Sequence, residues 1–308
     1  MLRLFDAHCD VLFRMERDPS LQFLDGEALH INFKRLSFAG SKVQCFALFM
    51  LDTIPDELKF KTALNMIDIF YDKVIGASPL LKPVRTKKDI ESLKENEIGA
   101  MLTLEGCDAI GTDLVKLRTL FRLGVKSVGL TWNNSNAVAD GAQESRAAGL
   151  SDFGRKVVQE NNQHKVWTDV SHLSEKAFWD VLEEATFPIA SHSNAKALCD
   201  HPRNLSDDQI KALLGKSGVI GVTFVPQFLT GSGQAKLADI LQHIDHIASL
   251  GGIHQIGLGS DFDGIDTTPE NLSNFGEYPL LINELLKHYK EEEVEGFLFN
   301  NFYRALPE

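Results

Sequence analysis

FDAHCDVL, residues 5–12, decides how the rest of the chain is read. Apolar and polar positions alternate in it, which fits an extended strand, and residues two apart on a strand share a face. His8 and Asp10 therefore point the same way from the end of a strand that starts almost at residue 1. An imidazole and a carboxylate on one face can grip one cation. A simple hydrogen-bonded pair is the competing reading, and the other strand ends have to decide between them.

Outward from this stretch, short apolar runs alternate with longer amphipathic ones. Strands are predicted near residues 2–8, 43–50, 99–104, 125–131, 166–170, 188–191, 219–224 and 255–260, with helical periodicity between them. Ser174 reads as the N-cap of SEKAFWDVLEEA, SDDQ at 206–209 has the capping-box form, and the glycines of LGKSG and LGG fall where helices should stop. Val, Ile and Leu on both strand faces suit a parallel sheet covered by helices. Eight strands each followed by a helix is the count of an α/β protein of the (β/α)8, TIM-barrel type. A chain of 308 residues without a Pro/Gly/Ser linker is expected to form one domain over 1–308. Polar loops after Thr131 and around 267–278 look like lids over one rim.

Composition narrows the function. Thirty-one Lys and Arg against 43 Asp and Glu leave a net charge of −12, a surface that repels a phosphate backbone, so no nucleic-acid partner is expected. No apolar run approaches the roughly 20 residues that span a bilayer, and the first residues lack a signal-peptide pattern, so no membrane partner and a cytoplasmic location are expected. Cys9, Cys45, Cys107 and Cys199 form no CxxC and read as reduced, buried thiols.

The unusual polar residues fall at carboxyl ends of the predicted strands: His8 and Asp10 on the first, Glu105 on the third, His172 on the fifth, His192 on the sixth, Asp261 on the eighth. In a barrel these ends meet at one mouth. Glu105 in LTLEG is either a salt-bridged core acid or a carboxylate bridging two metals, one oxygen to each. His172 in TDVSHLS and His192 in PIASHSNA sit on neighbouring strands about 5 Å apart and can share a metal. Asp261 in GLGSDFDGID belongs to no EF-hand, because the glycine is at the fourth place and the twelfth residue is Leu272. It is read as a proton shuttle, with Asp263 as a structural partner. His243 and His246, three apart on a helix, read as a solvated outer face.

The ordered set FDAHCD, LEG, TDVSHLS, ASHSNA, HPRN and GLGSDFDG resembles the renal, or membrane, dipeptidase family of zinc peptidases, including its soluble bacterial members, nearly end to end. The resemblance implies a hydrolase that cleaves dipeptides, often with a D-residue at the C-terminal position, using two Zn2+ per chain. It puts His8 and Asp10 on one zinc, His172 and His192 on the other, Glu105 between them, and the proton on Asp261. Arg203, in CDHPRN, matches the arginine that anchors the substrate carboxylate, a task suited to a bidentate guanidinium. Where better-known members carry a histidine, GLTWNNSNAVADG has Trp132, whose indole donates one hydrogen bond but takes up no proton. Carbonyl polarisation then passes to Trp132, to Asn133 or Asn134, or to zinc alone. The expected reaction is attack on the peptide carbonyl by a hydroxide bridging the zinc pair. A homodimer is consistent with the resemblance.

Two rivals stand beside this reading. One is another metal-dependent amidohydrolase, acting on cyclic amides or lactones or as a deaminase. HxD in place of HxH on the first strand, and no strand-four lysine suggesting a carbamylated bridge, speak against it. The other is a catalytically silent, zinc-containing binding protein, which would need neither Asp261 nor Arg203.

Overall fold

In the computed structural model, which describes residues 2–308, the strands are β1 (Leu4–Asp6), β2 (Ser41–Phe49), β3 (Leu81–Pro83), β4 (Ile98–Glu105), β5 (Val125–Gly129), β6 (Trp167–Asp169), β7 (Pro188–Ile189), β8 (Ile220–Val222) and β9 (Ile256–Leu258). Eight of them run parallel in the order β7-β6-β5-β4-β2-β1-β9-β8. Ala190, at the tip of β7, pairs with Ile220 of β8, donating to the Val219 carbonyl (2.9 Å) and accepting from Gly221 N (2.7 Å), so the sheet closes on itself. This is the (β/α)8 barrel expected from the sequence, and its eight strands coincide with the eight predicted.

The ninth strand, β3, lies off the ring. It pairs with Ile98, Gly99 and Ala100 of β4, while β5 takes Leu102 to Glu105 of the same strand. Three residues ending in a proline, which has no N–H to donate, give almost no strand signal.

Predicted helices are found at Asp56–Ile69, Lys87–Ser92, Leu114–Leu123, Asp152–Gln163, Glu175–Glu184, Asp207–Gly215 and Leu237–Ile247. Ser174 accepts from Ala177 N, and Ser206 with Gln209 forms a reciprocal capping box, as their spacing predicts. The pattern did not reveal the helices Val11–Arg17 and Phe33–Ala39, or the C-terminal helices from Tyr278 onward. In the last of these, Phe297, Leu298 and Phe299 are consecutive and all buried around a wide π-turn, which erases the 3.6-residue period.

Two expectations are corrected. The segment 267–278 is no lid: Leu272, Phe275 and Tyr278, three apart, are fully buried, and Phe275 N donates to the His30 carbonyl at 3.1 Å. His243 is not on a solvated face. It shares the buried side of its helix with Ile240, Ile244 and Ile247, accepts from Ala195 N (3.0 Å) and donates to the Leu229 carbonyl (3.0 Å). The loop after Thr131 places Trp132 and Asn133 at the mouth and is tied down where Asp140 accepts from Arg146 and Ala148 N.

One apolar layer lies between sheet and helices, and a second fills the barrel. In the second, Phe5, Cys45, Met101, Trp167 and Ile189 from five strands meet Phe299 and Phe302 from the C-terminal segment. A Cβ at Gly257 would sit 2.2 Å from the Phe302 ring, so only glycine on β9 admits this plug. Phe302 stacks on Phe5 (5.5 Å) and meets Trp167 edge-on (6.0 Å). Phe302→Ala should therefore cost about 3–5 kcal/mol in chemical denaturation, without changing metal affinity at the far end of the strands. A loss below about 1 kcal/mol would show that the plug is not a structural keystone.

Candidate active site

The strand ends at the mouth are held by two buried carboxylates. Asp6, the last residue of β1, accepts His8 N (3.1 Å) and Ser260 N (3.0 Å) on Oδ1 and the Tyr278 hydroxyl (2.8 Å) on Oδ2. Asp169, the last residue of β6, accepts Ser171 N (3.0 Å) and Ser191 N (2.9 Å) on Oδ1 and the Ser191 hydroxyl on Oδ2. Each clasps two adjacent strand ends and sets the turn that carries the histidines. Neither was singled out in the sequence, although both FDAH and TDVSH place an aspartate two or three residues before a histidine. His172 (φ 69°) and Asp261 (φ 64°) adopt left-handed backbone conformations that non-glycine residues avoid, here at the mouth of the barrel.

His8, Asp10, Glu105, His172, His192 and Asp261 all converge. His8 Nε2 lies 3.4 Å from Asp10 Oδ2, 3.3 Å from Glu105 Oε2 and 3.7 Å from Asp261 Oδ1. The other Glu105 oxygen, Oε1, is 3.0 Å from His172 Nε2 and 3.9 Å from His192 Nε2. Those two Nε2 atoms are 2.8 Å apart. His172 Nδ1 faces Asn133 Oδ1 (2.9 Å) and His192 Nδ1 faces Ser191 Oγ (2.7 Å). With the outer nitrogens donating to those oxygens, both inner nitrogens present lone pairs to the same point. A Cβ at Gly264 would lie 2.2 Å from Asp10 Oδ2 and 2.7 Å from Asp261 Oδ1, so glycine there lets the two acids approach.

The charges are crowded and dry. Burial opposes a charge on His8, but Glu105 and Asp10 outweigh it and hold the imidazole well above its ordinary value. Burial would raise Glu105, yet His8 and His172 hold it below the usual carboxylate range. Burial, then the Arg203 charge, pushes His172 down to about 3, and burial with His8 and His172 pushes His192 down as well. Asp261 is pushed up to about 8 by burial, with Asp10 and Glu105 adding to the shift against the pull of His8. Burial and Glu105 also raise Asp10.

This donor set fits a divalent metal. His8 Nε2 and Asp10 Oδ1 are buried without a hydrogen-bond partner, which is unfavourable unless a cation meets them. His8 with Glu105 and His192, and His8 with Asp10 and Asp261, each present ligand atoms within 4.8 Å of one another. Imidazole nitrogens and carboxylate oxygens are the donors zinc accepts.

Above these groups is a cavity of about 170 Å3, lined by Asp10, Glu105, His172 and Asp261 below and by Phe13, Phe49, Trp132, Val225, Phe228 and Ile265 around. Trp132 packs on Phe49 (5.2 Å), and Asn133 reaches the site through His172. Asn134 turns away: it is exposed, its amide donates to Asp52, and it does not line the cavity. Arg203 is buried behind Phe228, with its guanidinium carbon 5.4 Å from that ring, and lines a cleft of about 40 Å3 that shares His172 with the main cavity. One of its nitrogens donates to the His192 carbonyl (3.0 Å), and its Nε has no partner. Asp263 binds His30 N (2.8 Å) and Ile31 N (3.0 Å), the structural role expected of it.

Comparison with known proteins places this geometry. The family model described as membrane dipeptidase (peptidase family M19) matches residues 1–308. An uncharacterized dipeptidase of Schizosaccharomyces pombe is 31% identical over 98% of this chain and 79% of that protein. Among solved structures, the dipeptidase AC, an M19 metallopeptidase, superposes with a TM-score of 0.92 at 29% identity, covering 99% of this chain and 98% of that one. A metallopeptidase from Rhodobacter sphaeroides, bound to a phosphinate mimic of the dipeptide L-Ala-D-Ala, superposes with a TM-score of 0.93 at 27% identity and the same coverage.

The shifted groups give the metal-free protein a pH signature. Asp261, ordinarily at 3.8 and raised to about 8, binds its proton more tightly when folded, so its stabilising contribution is lost as pH rises through that interval. His8, also raised, acts in the same direction. The lowered His172 and His192 act oppositely, but only below the ordinary histidine value of 6.5. Between about pH 6.5 and 8 the loss is unopposed, so the Tm of the metal-free protein should fall, and saturating Zn2+ should remove that fall by replacing the proton. A metal-free Tm that stays level or rises over this range contradicts the charge arrangement.

Proposed function

The chain belongs to the membrane dipeptidase family and is a metallo-dipeptidase, and we propose that it acts as one catalytic domain over 1–308 with two zinc ions per chain. His8 and Asp10 would hold one ion, His172 and His192 the other, and Glu105 would give one oxygen to each. The observation that carries this reading is the way Glu105 divides: Oε2 is 3.3 Å from His8 Nε2 while Oε1 is 3.0 Å from His172 Nε2. When bound, zinc supplies Lewis acidity toward the peptide carbonyl and lowers the pKa of a coordinated water to about 7.

The remaining work falls to the side chains. Asp261, whose Oδ1 is 3.7 Å from His8 Nε2 and which lines the cavity, takes as a carboxylate the proton of the attacking water and returns it to the departing amine. Arg203 offers its unpartnered Nε and its charge to the substrate's C-terminal carboxylate, and its fixed offset from the metal donors measures a dipeptide rather than a longer chain. Phe13, Phe49, Trp132 and Phe228 keep water from the reacting bond. Trp132 has one N–H for the carbonyl. Asn133 is engaged by His172, so its role is to orient that ring. The substrates are dipeptides, with L,D as well as L,L forms in the range, a choice supported by the L-Ala-D-Ala mimic in the Rhodobacter relative. A cytoplasmic location suits its four unpaired, buried cysteines.

A panel of L,L and L,D dipeptides should release free amino acids, lose this with a chelator and regain it with Zn2+. Asp261→Asn should keep two equivalents of zinc while kcat falls at least 100-fold; near-normal turnover would remove the proton shuttle. His192→Ala should lower zinc content by elemental analysis, and two retained equivalents would strike His192 from the ligands.

A further inference from the structure

Asp169 touches neither the cavity nor any metal donor directly, yet its hydrogen bonds lead straight to one. We propose that Asp169, acting through the Ser191 hydroxyl, fixes the tautomer of His192 and is thereby a positioning residue for the metal site. The inference rests on His192 being a ligand, as read above.

The chain of donors has a single consistent direction. A carboxylate only accepts hydrogen bonds. Asp169 Oδ1 is taken by Ser191 N (2.9 Å) and Ser171 N (3.0 Å), and Oδ2 faces Ser191 Oγ. The hydroxyl proton must point at Oδ2, which leaves an oxygen lone pair toward His192 Nδ1, 2.7 Å away. Nδ1 must then donate, so the ring's one proton is on Nδ1 and the Nε2 lone pair faces His172 Nε2 and Glu105. All three residues are buried, so water has no access to reverse the relay.

A metal-bound histidine commonly donates its outer N–H directly to a carboxylate. Here a hydroxyl stands between, and a hydroxyl can donate or accept. The direction is therefore not a property of Ser191; Asp169 imposes it. Asparagine at 169 keeps both backbone N–H bonds through its carbonyl oxygen, but its NH2 group donates to Ser191 Oγ. The hydroxyl proton then turns toward His192 Nδ1, and the ring proton moves from Nδ1 to Nε2, where it blocks the metal. His172 is an internal control, because its Nδ1 partner is Asn133 and not this relay.

The test is 1H–15N correlation of imidazole nitrogens in metal-free wild type, D169N, S191A and the double variant, with zinc titrations of each. Wild type should show His192 as the Nδ1–H tautomer, and D169N as Nε2–H with His172 unchanged. Zinc should bind D169N about 10- to 100-fold more weakly at one of two sites, with kcat near wild type once zinc is saturating. S191A should give a mixture of tautomers, and adding D169N to it should change zinc affinity no further. A folded D169N protein that keeps the Nδ1–H tautomer overturns the proposal, as does an equal D169N penalty in the S191A background. If D169N does not fold, S191A decides alone: a pure Nδ1–H tautomer there overturns it. Failure of the ligand reading would appear separately, as wild-type protein that binds no zinc at His192 while its tautomer still follows Asp169.

Discussion

Three carboxylates share one imidazole at the mouth of this barrel. Asp10, Glu105 and Asp261 all lie within 4 Å of His8 Nε2; His8, Asp10 and Glu105 are buried and Asp261 is half-buried at the cavity. Buried like charges at such range repel strongly, so the arrangement persists only if positive charge is shared among them. In the metal-free protein a proton on His8 serves; a divalent cation would serve better and would also satisfy the orphaned Asp10 Oδ1. The cluster lies within an otherwise apolar fold, and the chain holds it there with bonds at the strand ends rather than by filling the space with protein.

Stability and chemistry occupy opposite ends of the strands. At one end Phe5, Trp167 and Phe302 plug the barrel with packed rings. At the other, Asp6 and Asp169 convert two strand termini into rigid mounts, and Gly264 leaves room for two acids. A barrel lets six donors from five strand ends meet without any one loop holding them all. The loop after Thr131 is anchored through Asp140 and contributes Trp132 to the aromatic wall and Asn133 as the partner of His172.

Much of this was legible in the chain. Strands buried on both faces carry continuous apolar runs, and a polar residue ending such a run has little reason to be there except function, which is how Glu105, His172, His192 and Asp261 stood out. Geometry that depends on turns was not legible. Asp6 and Asp169 look like ordinary strand-end acids until the strand beside each is known, because the cross-strand N–H that each accepts lies 254 and 22 residues away. The inward face of His243 depends on which side of its helix meets the sheet, and His246, three residues on, is paired outside with Asp207 at 2.7 Å. Asn134 adjoins a cavity-lining residue yet points at Asp52, since adjacent loop residues need not share a direction.

The account stands on where cations bind. Crystals of zinc-loaded protein, measured on both sides of the zinc absorption edge, should give two anomalous peaks per chain. One should lie against His8 and Asp10, the other against His172 and His192, with Glu105 between them. A single peak, or peaks that leave His8 or the paired histidines untouched, would contradict it.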